Sequence, residues 1–167
     1  MRILVTVASR HGATREIGTV VADVLRSSGH DVDELEPEDV GTVEPYAAVV
    51  LGSAVYAGRL GAGLRKLVER QGGQLRARPV WLFWSGPVGN PLSPPTVPDD
   101  VGVLASQSGA RDPQVFGGRL DRRTLGLAER ALVAMIDAEQ GDFRDLDEVR
   151  AWAGRIADEL APHAARR

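Results

Sequence analysis

The sequence predicts an α/β fold, a doubly wound parallel sheet with helices on both faces, and three observations carry that prediction. The runs ILVTV (3–7), AAVVL (47–51) and VWLFW (80–84) are apolar without polar alternation, as strands covered on both faces are. Amphipathic stretches with helical spacing alternate with the strand-like segments. Parallel neighbours need a crossover of a dozen or more residues, and the chain supplies one each time.

The elements follow in order. Ala13 to Ser28 sets Ile17, Val20, Val21, Val24 and Leu25 at helical spacing, with Gly29 on the C-cap side. Asp31 to Glu36 fits a short strand nearer the edge, ended by Pro37. Leu60 to Gln71 carries Leu60, Leu64, Leu67 and Val68 on one face, and the Gly72-Gly73 pair marks its end. The segment GPVGNPLSPPTVP (86–98) holds five prolines and reads as an extended surface loop, either a stiff connector or a docking segment or lid. Asp99 to Ser106 reads as a short helix and Gln114 to Leu120 as a further strand. Asp121 to Asp137, with Leu125, Ala128, Leu132, Met135 and Ile136 on one stripe, and Asp145 to Leu160, with Val149, Trp152 and Ile156, are the last helices. Asp145 and Glu148 have the spacing of a capping box. Trp81 and Trp152 are expected in the core, and Trp84 at a strand end fits either core or stacking, so no tryptophan is assigned to a site. Five strands and about five helices fill residues 1–167 as one domain.

Composition removes several classes of function. With no cysteine there is no disulfide, thiolate metal site or cysteine nucleophile. The net charge is −3 and the basic residues are dispersed, which leaves no electrostatic footprint for nucleic acid. The first apolar run is shorter than a signal-peptide core, and no run approaches the ~20 residues of a membrane span, so a soluble cytoplasmic protein is expected. His11, His30 and His163 lack the serine and carboxylate company of a hydrolytic triad, and no HExxH motif is present.

In such a sheet, ligands bind beyond the carboxyl ends of the strands. Three stretches occupy that edge: SRHGAT (9–14), GSAVYAGR (52–59) and SGPVGN (85–90). SRHGAT sets the hydroxyls of Ser9 and Thr14 and the flexible Gly12 where the first amides of a helix have no internal partner, a turn suited to an anion. Neither GxGxxG nor GxxxxGK[ST] spacing is present, so a single phosphate monoester fits better than a dinucleotide or a nucleoside triphosphate. A turn in which Ser9 or Thr14 merely caps the helix is the simpler alternative.

SRHGAT resembles the phosphate loop of the flavodoxin-like family, with His11 where that family commonly has a threonine. The longer run SRHGATREI looks like that of the flavodoxin-type, menaquinone-dependent protoporphyrinogen IX dehydrogenases or oxidases. VFGGRLD (115–121) and GDFRDLDEVRAWA (141–153) extend the resemblance over most of the chain. It implies a five-stranded sheet of order 2-1-3-4-5 and non-covalent flavin mononucleotide (FMN) as cofactor. Ser9, Arg10, His11, Gly12, Ala13 and Thr14 would then surround the phosphate. Ser53, Ala54, Val55, Tyr56 and Gly58 would line the flavin ring, with Gly52 also allowing close approach. Ser85, Gly86, Pro87, Val88 and Gly89 would form the second ring loop. No side chain is assigned as catalytic.

The activity implied is that of an FMN-dependent oxidoreductase, protoporphyrinogen-oxidase-like, acting on a small planar substrate. An electron carrier docking to another redox protein is the alternative, and a binder of a deazaflavin or a relative without cofactor ranks below both. One departure stands out, since RLDRRTLGLAERALVAMIDAE (119–139) carries Arg119, Arg122 and Arg123 but no aromatic residue suited to membrane quinone work. Arg10, Arg15 and Arg59, against Glu16 as the acid, ring the expected site and favour an anionic small-molecule substrate or a negatively charged cofactor tail over a docking protein.

Overall fold

The computed structural model describes residues 1–86, 97–120 and 141–161. β1 (Arg2–Ala8), β2 (Asp31–Leu35), β3 (Ala48–Tyr56), β5 (Val80–Ser85) and β6 (Arg111–Phe116) form a parallel sheet in the order β2-β1-β3-β5-β6. With the two-residue arm β4 (Arg59–Leu60) set aside, that is the expected 2-1-3-4-5.

Side-chain alternation splits the core into two layers. Ile3, Val5 and Val7 of β1 face α1 (Ala13–Ser27) and the C-terminal helix α4 (Leu146–Leu160), whose Val149, Trp152 and Ile156 complete that layer. Leu4 faces the opposite way, toward α2 (Ala62–Arg76) and α3 (Asp99–Ser108) with Leu64, Leu67, Leu75 and Leu104. Phe83, Phe116 and Trp152 meet at centroid distances of 5.6–5.9 Å in tilted and edge contacts, each such pair adding about 0.5–1.5 kcal/mol beyond burial. All three tryptophans are buried, Trp84 in the layer with α2.

Several expected boundaries move. α2 runs through Gly72 and Gly73 to Arg76 instead of ending there. Gly72 is buried, and a Cβ on it would stand 3.2 Å from the Gln107 carbonyl, so the glycine lets α2 pack against the end of α3 and is no stop signal. The helix ends before Pro79, whose predecessor is biased away from helical backbone. Leu60 lies in β4 rather than in α2, because the chain turns at Ala57-Gly58 and the helix starts only after Gly61.

The fifth parallel strand begins at Arg111, three residues before Gln114, and stops at Phe116. Arg119–Leu120 (β7) instead pairs antiparallel with Gly141–Asp142 (β8). Pro113 is tolerated because β6 is the edge strand, and its register shifts near Asp112, which has a left-handed φ of 44°. Pro37–Asp39 forms a short 3-10 turn. The helix expected at Asp121–Asp137 and most of the proline-rich loop lie outside the described residues.

Candidate functional site

The turn after β1 is built around Gly12. Its φ of 84° is left-handed, where glycine carries no Cβ penalty, and it forms the N-cap of α1. A Cβ added there would meet nothing within 4 Å, so backbone conformation, not crowding, requires the glycine. Ser9 Oγ accepts a hydrogen bond from the Gly12 amide at 3.1 Å, which closes the loop ahead of α1 and does not cap the helix. A glycine N-cap offers no side-chain acceptor, and none caps α1, so the amides of Ala13, Thr14 and Arg15 open the helix uncapped by that residue. Thr14 is buried at 4% exposure.

The second loop reaches the first. Tyr56 ends β3, and Tyr56 and Arg59 pair across a two-residue turn in which Ala57 and Gly58 have φ of 51° and 76°, the signs of a type I′ hairpin. The Arg10 guanidinium lies over the Tyr56 ring, 4.9 Å from its centroid, and the His11 ring meets the same ring edge-on at 6.0 Å. His11 therefore stands at the junction of the turn after β1 and the aromatic loop. Ser53 is fully buried, its hydroxyl donating to Ala54 O and accepting from Gly61 N at 2.8 Å. Ala54 is buried, and Val55 is half-buried. Gly52 serves the core instead of a ligand, since a Cβ there would fall 2.3 Å from the Phe83 ring.

The third loop arrives by close backbone contact. A Cβ on Gly86 would be 3.3 Å from Val55, and one on Gly118 would be 3.2 Å from Gly86. The buried Ser85 hydroxyl donates to Gly117 O at 3.2 Å, so that side chain ties β5 to the end of β6. Pro87, Val88 and Gly89 lie outside the described residues. The structure thus brings Ser9–Thr14, Val55–Gly58 and Ser85–Gly86 to one edge of the sheet.

Residues that local sequence did not single out complete the edge. Asp100, at the start of α3, accepts from Leu60 N at 3.1 Å and lies 3.4 Å from Arg59 and 3.9 Å from Arg65, anchoring the hairpin. A cleft of about 360 Å³ opens beside Tyr56, and its charged lining is Arg10, Arg59, Arg65, Glu36 and Glu38. Arg144, after β8, is only 8% exposed. It grips Asp142 with Nε and Nη2 at 2.9 and 2.8 Å, donates to the Ala13 carbonyl at 3.2 Å, and pairs with Glu16, which also faces Arg119 at 3.6 Å. The hydrogen bonds from Arg144 hold the Asp142 carboxyl below the usual carboxylate range. Among the described residues no group of three or more histidine, aspartate or glutamate side chains could hold a metal ion, and no helix is long and apolar enough to cross a membrane.

Residues 4–147 match a family model described as a flavodoxin domain. Among solved structures, the chain resembles a flavodoxin from the domain Archaea (TM-score 0.63, 14% identity, covering 96% of this chain and 99% of that one). It also resembles oxidised flavodoxin 1 from Bacillus cereus (TM-score 0.65, 13% identity, covering 96% and 100%). Rubredoxin oxygen:oxidoreductase from Desulfovibrio gigas is similar over 95% of this chain but only 36% of its own (TM-score 0.63, 13% identity). No curated protein sequence matches this chain.

Proposed function

Because the chain belongs to the flavodoxin domain family, its cofactor is FMN, and we propose that it is an FMN-dependent oxidoreductase of the protoporphyrinogen-oxidising kind, acting on a planar anionic substrate. The residues present fit the cofactor. The left-handed Gly12 opens α1 without a side-chain cap, so the first amides of the helix are available to a phosphate, and the helix dipole favours an anion there. Tyr56 offers a ring face, while Gly58 and Gly86 keep the flanking backbone free of side chains. When bound, FMN supplies the electron-accepting ring, and the protein supplies position and charge.

The observation that carries the substrate class is the set of arginines around Tyr56. Arg10 lies over its ring, Arg59 is its cross-strand partner, and Arg65 lines the same cleft. A carrier that docks by charge to a redox protein relies on one dominant sign of charge over a broad face, whereas here cations are concentrated at one aromatic ring. The resemblance of SRHGATREI, VFGGRLD and GDFRDLDEVRAWA, in that order, to the protoporphyrinogen-oxidising group is what favours that reading in particular.

The test is steady-state oxidation of protoporphyrinogen IX by the FMN-loaded protein with added quinone or dioxygen. Turnover above that of free FMN, lowered by Arg59→Gln, is the expected result. Turnover at background would remove the reading, and rapid reduction by a redox protein in that case would favour the electron carrier.

A further inference from the structure

Arg144 runs against simple electrostatics. A buried cation beside the first turn of a helix opposes the positive end of the helix dipole, and such a site ordinarily favours an acid. The guanidinium is held there by two elements distant in sequence: Asp142, two residues away on β8, and Ala13 and Glu16 of α1, 131 and 128 residues away.

The contact with Ala13 is the informative one. A peptide unit is planar and trans, so the carbonyl of Ala13 and the amide of Thr14 point in opposite directions as one rigid group. A donor that fixes the carbonyl of Ala13 therefore also fixes the direction of the Thr14 amide. A cationic donor on that oxygen further polarises the peptide and strengthens the N–H at its other end. Thr14 belongs to the first turn that follows the left-handed Gly12, on the edge of the sheet where the three loops converge.

We infer that Arg144 is a positioning residue for the cofactor phosphate, orienting the Ala13–Thr14 peptide from behind while Asp142 holds its fork and Glu16 balances its charge. The inference rests on the FMN reading above. Four of the five N–H groups of Arg144 are already given to Asp142, Ala13 and Glu16, so its part in this proposal is indirect, through the Ala13–Thr14 peptide. Arginine suits the position because one planar fork spans acceptors on two elements, a geometry that a lysine ammonium reproduces only in part.

The experiment compares FMN with riboflavin, which has the same ring and no phosphate, by fluorescence-quenching titration of the apoprotein. Loss of one charge-assisted contact behind the turn predicts that Arg144→Gln weakens FMN binding about tenfold and leaves riboflavin binding within about twofold. Arg144→Lys should recover part of the loss. Glu16→Gln, at a more exposed partner, is the second variant should Arg144→Gln fail to fold, and it should shift FMN affinity in the same direction by a smaller factor. An equal fall for both ligands would make Arg144 a structural residue only, and no fall for either would leave it without a role; each overturns the proposal while the FMN reading stands. A wild-type protein that binds neither ligand would remove both.

Discussion

At the scale of single residues, Gly12 decides the form of the turn between β1 and α1. Its φ of 84° lies where a residue with a Cβ is disfavoured by roughly 1–2 kcal/mol, while the space around it is open. Backbone preference therefore sets the order of tolerated replacements, and FMN affinity should fall from Gly12 through Gly12→Asn and Gly12→Ala to Gly12→Val. Asparagine visits the left-handed region most readily, and a β-branched side chain least. Calorimetric titration reads the series, and an alanine variant with wild-type affinity would show that the turn does not depend on that backbone. Ser9, Gly12, Thr14 and Tyr56 were legible in the sequence because the turn and the strand end are local. Arg144 and Asp100 were not, since their meaning lies in contacts 131 and 40 residues away that no local spacing encodes. Gly118 escaped for the same reason, being significant only where the end of β6 meets Gly86.

At the scale of elements, continuous apolar runs identified the buried strands, but boundaries depended on neighbours. The second half of β3, GSAVY, looks like a turn by composition, yet its Gly52 and Ser53 pair with both β1 and β5, and Ala54 pairs with β5. The adjacent glycines of α2 separate the two causes of a helical glycine. A Cβ added to Gly73 would have nothing within 4 Å, whereas one on Gly72 meets the Gln107 carbonyl and the Arg76 guanidinium, both at 3.2 Å. Gly73→Ala should therefore stabilise by about 0.5–1 kcal/mol through lower backbone entropy in the unfolded chain. Gly72→Ala gains the same helix propensity but must push α2 from the end of α3, so its effect should be smaller or opposite in sign. Urea unfolding midpoints of the two variants measure the difference, and equal stabilisation would mean that α2 and α3 are not closely packed at Gly72.

For the whole molecule, two carboxylates at separate places, among the described residues, are held below their ordinary range and so contribute to the response to acid. Asp33 on β2 accepts from the Tyr46 hydroxyl at 2.7 Å and from Arg2 at 2.8 Å, while Arg2 also covers the Tyr46 ring at 5.0 Å, so this cluster joins β1, β2 and the entry to β3. The Tyr46 hydrogen bond first, and that of Arg2 next, hold the Asp33 carboxyl below its ordinary value of 3.8. Asp142 is held down in the same sense by Arg144, beside the site. Both groups have a folded-state pKa below the unfolded one, so both contribute fully to stability above about pH 4 and lose that contribution as pH falls through their lowered values. The urea midpoint should thus be flat with respect to these groups from neutral pH down to the ordinary carboxylate range and decline below it. Asp33→Asn should lower the midpoint at neutral pH and flatten the acid decline, because an amide cannot be protonated there. Asp142→Asn should do the same and also loosen the grip on Arg144, so that FMN affinity falls with stability in this variant and not in Asp33→Asn. An acid decline of unchanged steepness in both variants would place the acid sensitivity of the fold elsewhere.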